Sequence, residues 1–123
     1  MPRAILWQRF EGAAVFAAGL AIYLGVAPGL PWWAAILLFF APDLSFGGYL
    51  AGPKVGSVVY NLVHVYAFGA LVLAAGIVTA SLPLAGLGAL WLAHSGFDRM
   101  FGYGLKLPEG FNQTHLGEIG RKG

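Results

Sequence analysis

The sequence predicts an all-α integral membrane fold: an up-down bundle of about four transmembrane helices with a short polar C-terminal tail. Three observations predict it. Of 123 residues, 59% are hydrophobic and only 10% charged, and the mean hydropathy is +0.74, whereas soluble domains carry about 25% charged residues. A chain this short has too little interior to hide so much apolar surface from water. Four apolar stretches of spanning length follow one another, separated by Pro- and Gly-rich breaks. If these stretches alternate in direction, all seven Lys and Arg residues fall on one side.

The first span covers residues 6–27. Its opening is amphipathic through Gln8, Arg9 and Glu11, and no small-residue cleavage site follows, so it reads as a retained span and not a signal peptide. Ala13, Ala17, Ala21 and Gly25 recur every fourth residue and predict a stripe open to a close helix neighbour. Pro28-Gly29-Leu30-Pro31 ends this span, and Trp32 and Trp33 follow as interfacial anchors. The second span covers residues 32–50. Pro42 lies within it and frees the carbonyl of Leu38, four residues earlier. Glycines and Pro53 then loosen the chain. The third span covers residues 57–80, with Tyr60, Asn61, His64 and Tyr66 in its first half. After the turn at Ser81-Leu82-Pro83, the fourth covers residues 84–101 and carries His94, Asp98 and Arg99. Residues 1–101 thus form the bundle and 102–123 a glycine-rich tail.

Arg3, Arg9, Lys54, Arg99, Lys106, Arg121 and Lys122 share one side, which the positive-inside rule makes cytoplasmic, with both termini there. The lipid bilayer is the expected partner, and a homo-oligomer could build the outward exit that a solute path would lack in one chain. A net charge of +2, scattered along the chain, gives no argument for nucleic acid. Without cysteine, disulfides, thiolate metal sites and thiol redox chemistry are excluded.

Ionisable groups inside a membrane are costly and normally face the bundle interior. Here they share a depth: Glu11, Asp43, His64, His94 and Asp98 all fall in the cytoplasmic half of their spans. His94 and Asp98 are four residues apart and stack on one helix face, as do Tyr60 and His64. Two imidazoles with carboxylates and no thiol suit zinc, iron or manganese, with an open position able to activate a small molecule. The candidate ligands are therefore His64, His94, Asp43, Asp98 and Glu11, supported by Tyr60, Asn61, Arg99 and His115. The same residues also fit two other readings. One is a proton-coupled or small-solute path. The other is a non-catalytic bundle held by a structural polar network. No nucleotide loop or serine nucleophile elbow is present.

In the tail, five glycines from Gly102 to Gly120 predict tight turns, and Thr114 could cap a short helical turn. The segment either folds under the bundle as a lid, with His115 near the site, or hangs free. Phe101-Gly102-Tyr103-Gly104 has a superficial likeness to a potassium filter, but it follows the last span instead of preceding a pore-lining helix.

Several motifs together carry a family resemblance: Pro42-Asp43-Leu44-Ser45-Phe46 with Gly48-Tyr49-Leu50, Tyr60-Asn61 with His64, His94 with Gly96, and Asp98-Arg99. Gly102-Tyr103-Gly104-Leu105-Lys106, Phe111 and Thr114-His115-Leu116-Gly117 complete the set. The sequence thereby resembles the small bacterial membrane family catalogued as domain of unknown function 4260, over nearly the whole chain from Glu11-Gly12 to Gly120. The resemblance implies a bacterial multi-helix membrane protein. It brings no catalytic residue with it.

Overall fold

A computed structural model of the chain describes residues 3–107, 110–114 and 117–118. Helix α1 spans Arg3–Val26 and α2 spans Trp32–Phe40. A 3-10 helix, Ala41–Ala51, continues directly from α2. Helices α3 (Pro53–His64), α4 (Tyr66–Val78) and α5 (Leu82–Met100) follow. The result is an all-α bundle carrying one small sheet.

Helix α5 is the axis of the bundle. It packs along α1 on one side and α4 on the other, and both contacts are made backbone to backbone through glycine. A Cβ at Gly12 would meet Arg99 and Met100, one at Gly19 would meet Ala93, and one at Gly86 would meet Pro28. Low-numbered residues of α1 therefore face high-numbered residues of α5, and the two helices run antiparallel. On the other side Gly69 faces Leu92 and Gly76 faces Ala85, so α4 is antiparallel to α5 as well. The stripe on α1 differs from the expected one. Gly12 and Gly19 are buried against α5, whereas Ala17, Ala21 and Gly25 are exposed. Glycine permits a closer approach than alanine, so the contact follows the glycines.

The distribution of side chains is that of a lipid-facing bundle. The largest fully buried side chains among the described residues are His64, His94 and Ser95, while Leu50 is 95% exposed and Val78 85%. Water would penalise this arrangement, and hydrocarbon does not. Helix α1, with 24 residues, is about 36 Å long. Residues Trp32–Ala51 form a second helix long and apolar enough to cross a membrane. The pair Pro53–His64 and Tyr66–Val78, bent by 46°, makes a third if counted as one span. Helix α5 is not in this set; flanked by α1 and α4, it need not be as apolar as they are.

Pro42 acts as its chemistry requires. The carbonyl of Leu38 loses its α-helical partner and instead receives the Ala41 N–H and the indole N–H of Trp91 at 3.0 Å. We expect Trp91→Phe to lower stability by about 1 kcal/mol, the net value of one such hydrogen bond; chemical unfolding in detergent micelles measures it. From Ala41 the chain winds as a 3-10 helix for 11 residues, far longer than the usual short runs.

Helix α5 ends in a Schellman motif. Gly102 adopts φ +86°, its N–H bonds to the carbonyl of Arg99, and the Tyr103 N–H bonds to that of Asp98. The tail then forms a three-stranded antiparallel meander, β1 (Lys106–Leu107), β2 (Gly110–Thr114) and β3 (Gly117–Glu118). Strands β1 and β2 pack against α3. Thr114 is buried within a strand and caps no helix.

Candidate metal centre

Three elements build the centre. The first is the 3-10 helix. With three residues per turn, side chains three apart eclipse one another, so Asp43, Phe46 and Tyr49 form a single ridge. That ridge meets α3: Phe46 stacks on Tyr60 with ring centroids 5.3 Å apart, and a Cβ at Gly56 would collide with the Tyr49 ring. Asp43 is thereby aimed at His64. An α-helical winding, with about 100° per residue, would have fanned the three apart. The 3-10 rise of about 2.0 Å per residue also places Asp43 about 16 Å from Ala51, where an α-helix would give about 12 Å.

The second element is α3. Tyr60 and His64 lie one turn apart, and their rings stack at 3.7 Å with an interplanar angle of 8°. His64 Nδ1 lies 2.8 Å from the Tyr60 carbonyl. A carbonyl only accepts, so Nδ1 carries the hydrogen and Nε2 is left to bind. The helix breaks after His64, at Val65, whose ψ of 148° is extended. The break leaves the His64 carbonyl without a helical donor, and buried Arg99 fills the gap: its Nη2 donates to that carbonyl at 2.8 Å, and its Nη1 to the Tyr103 carbonyl at 3.2 Å. The Arg99 guanidinium also lies over the Tyr66 ring.

The third element is α5, which presents His94 and Asp98 on one face. Phe39 and Phe40 of α2 pack edgewise on the His94 ring, at 5.2 and 5.9 Å between centroids. Tyr60 donates its hydroxyl hydrogen to Asp98 Oδ2 at 3.4 Å.

These contacts bring four ligand atoms together. His94 Nε2 lies 3.2 Å from His64 Nε2 and 3.1 Å from Asp43 Oδ1. His64 Nε2 lies 3.3 Å from Asp43 Oδ1 and 3.5 Å from Asp98 Oδ2, and His94 Nε2 lies 3.4 Å from Asp98 Oδ2. One ligand atom from each of the four residues falls within 4.8 Å of all the others. An Nε2 carries one hydrogen at most and can satisfy one of these contacts; a central cation satisfies all of them. The spacing fits that cation. Metal–ligand bonds of about 2.0–2.1 Å in a tetrahedron put the ligands about 3.3–3.4 Å apart, the middle of the 3.1–3.5 Å range seen here. The residues can therefore hold a metal ion.

The predicted residues divide clearly. Asp43, His64, His94 and Asp98 converge. Tyr60 supports both His64 and Asp98. Arg99 touches no ligating atom; it holds the backbone at the helix break. Asn61 is half-buried on α3 and its carbonyl accepts the Val65 N–H. His115 lies outside the described residues. Glu11 is the correction: it is exposed and lies outside the converging set. Gly12 occupies the contact with α5, and one residue earlier the helix has turned about 100° away. Glu11→Gln should accordingly leave metal content unchanged, as elemental analysis of the purified variant would show. Reasoning from sequence missed Trp91, Phe39, Phe40 and the Phe46–Tyr49 ridge. The three-residue spacing of Asp43, Phe46 and Tyr49 was the available signal for the ridge. His94 Nδ1 and Ser95 Oγ are buried without a hydrogen-bond partner among the described residues.

No curated protein and no solved structure matches the chain. The family model described as Domain of unknown function (DUF4260) matches residues 5–119, the stretch that contains every residue of the centre, and the chain belongs to that family.

Proposed function

We propose that this protein is a metal-dependent membrane protein of the bacterial inner membrane, with both termini cytoplasmic. It holds one divalent transition metal through Asp43, His64, His94 and Asp98. The observation that carries the reading is the set of five ligand–ligand distances between 3.1 and 3.5 Å, contributed by three separate elements. The two Nε2 hydrogens available at most cannot satisfy five such contacts among two imidazoles and two carboxylates, whereas one central cation relieves them all. Near-tetrahedral spacing favours zinc, and two carboxylates among the donors also suit iron or manganese. A metal held there would act as a Lewis acid toward an oxygen-bearing group.

The chain's own residues define the rest. Tyr60 fixes the hydrogen of His64 at Nδ1 through its carbonyl and orients Asp98 through its hydroxyl. Phe39 and Phe40 exclude water from the His94 side. Asp43 keeps 36% of its side chain exposed, against 0% for both histidines and 11% for Asp98. The centre therefore opens on the 3-10 helix, and substrate approaches there. Elemental analysis of protein purified without added chelator tests the reading. About one metal ion per chain is expected, and the absence of stoichiometric metal from protein re-exposed to zinc, iron and manganese would overturn it.

A further inference from the structure

A groove of about 340 Å³ runs between the 3-10 helix and the α3 and α5 side of the bundle, within the range of about 300–1,000 Å³ usual for ligand pockets. Pro42, Leu44, Ser45, Val59, Val63 and Trp91 line it. Each element that builds the centre also supplies part of the groove's wall, although none of the four candidate ligands lines it. Pro42 and Leu44 flank Asp43, Val63 precedes His64, and Trp91 lies one turn before His94. Leu44 is 82% exposed at its rim, so the groove is open to the surroundings of the bundle. Within a bilayer those surroundings are acyl chains, and an apolar groove offers water almost no partner. Of the polar side-chain groups in the lining, the Trp91 indole N–H is bonded to the Leu38 carbonyl, and Ser45 Oγ is buried with no hydrogen-bond partner among the described residues.

We propose that this groove binds an acyl chain of a bilayer lipid and brings it alongside the open flank of the metal centre, so that the substrate class is a lipid. The inference rests on the metal reading of the centre. It explains why the one ligand with substantial exposure, Asp43, sits on the element that also forms a wall of the groove. The apolar lining supplies affinity for a chain of any head group.

Trp91 serves as the reporter. The chain has four tryptophans, and Trp7, Trp32 and Trp33 can be replaced by phenylalanine to leave it alone. The metal-loaded variant is reconstituted in dioleoylphosphatidylcholine and in the same lipid brominated across its double bonds, and metal content is measured on the same samples. Strong quenching of Trp91 by the brominated lipid is expected. Val63→Phe, or Val59→Phe should the first not fold, fills the groove and should reduce that quenching by about half while metal stays bound. Metal-loaded protein whose Trp91 is not quenched, or is quenched equally with the groove filled, overturns the lipid assignment alone. Protein that binds no metal overturns the metal reading and this inference with it.

Discussion

Replacing His64 or His94 by alanine should abolish metal retention. Each substitution removes one of two nitrogen donors from a site with four ligands. Losing even a supporting group around a metal typically costs 10–100-fold in affinity, so losing a ligand should cost more than about 100-fold. The consequence extends to stability. A metal present at about 1,000 times its dissociation constant stabilises the folded chain by about 4 kcal/mol, and chelation removes that contribution. It also leaves Asp43 and Asp98 facing each other within 4.8 Å, where two ionised carboxylates repel by about 3.5 kcal/mol or more at an effective dielectric constant of about 20. Chelator should therefore lower the unfolding temperature of the wild-type protein in micelles, and should leave that of His64→Ala unchanged. The comparison separates a metal centre from a structural polar network. A network would lose stability on substitution and would be indifferent to chelator. Equal metal content in wild type and both alanine variants would contradict the assignment.

Gly88→Val should be the most destabilising change away from the centre. A Cβ at Gly88 would lie 2.1 Å from the backbone nitrogen of Leu73 and 2.5 Å from its Cα. The obstacle is backbone, which cannot turn aside as a flexible side chain can, so α4 must separate from α5. Overpacking of this kind costs about 3 kcal/mol. Because α4 continues from the break at Val65, the displacement should reach His64, and metal content should fall together with stability. Gly25→Ala is the matched control. Nothing lies within 4 Å of a Cβ at Gly25, so stability should change by no more than about 0.5 kcal/mol. Unfolding of the three proteins in the same micelles, with metal measured on each, checks both expectations.

Much of the centre was legible in the sequence because intramembrane charge is so costly. His64, His94, Asp43 and Asp98 stood out as ionisable groups within apolar stretches, and lipid leaves such groups little choice but to face inward and meet. Glu11 misled for the same reason, since its depth fitted but its rotation did not. Rotation about a helix is fixed by packing, and here Gly12 decided it. The stripe of alanines on α1 misled in a similar way. Regular spacing of small residues shows where a helix can approach, and the glycines on a different face let α5 approach more closely.

By itself the sequence determined the apolar helical character of the chain, the break at Pro28–Pro31, a second break ending at Ser81, and the carbonyl of Leu38 freed by Pro42. These follow from transfer free energy and from the missing N–H of proline, and both act locally. Leu82 and Pro83, expected in that second turn, instead open α5. Only the tertiary structure decided three things: the 11-residue 3-10 winding that aligns Asp43 with Phe46 and Tyr49, the break at Val65, and the docking of the tail strands on α3. No proline or glycine marks Val65; the freed His64 carbonyl is held by Arg99, 35 residues away in sequence. Such a conformation is stable only because a distant side chain satisfies the hydrogen bond the helix gave up, and local sequence carries no trace of that donor.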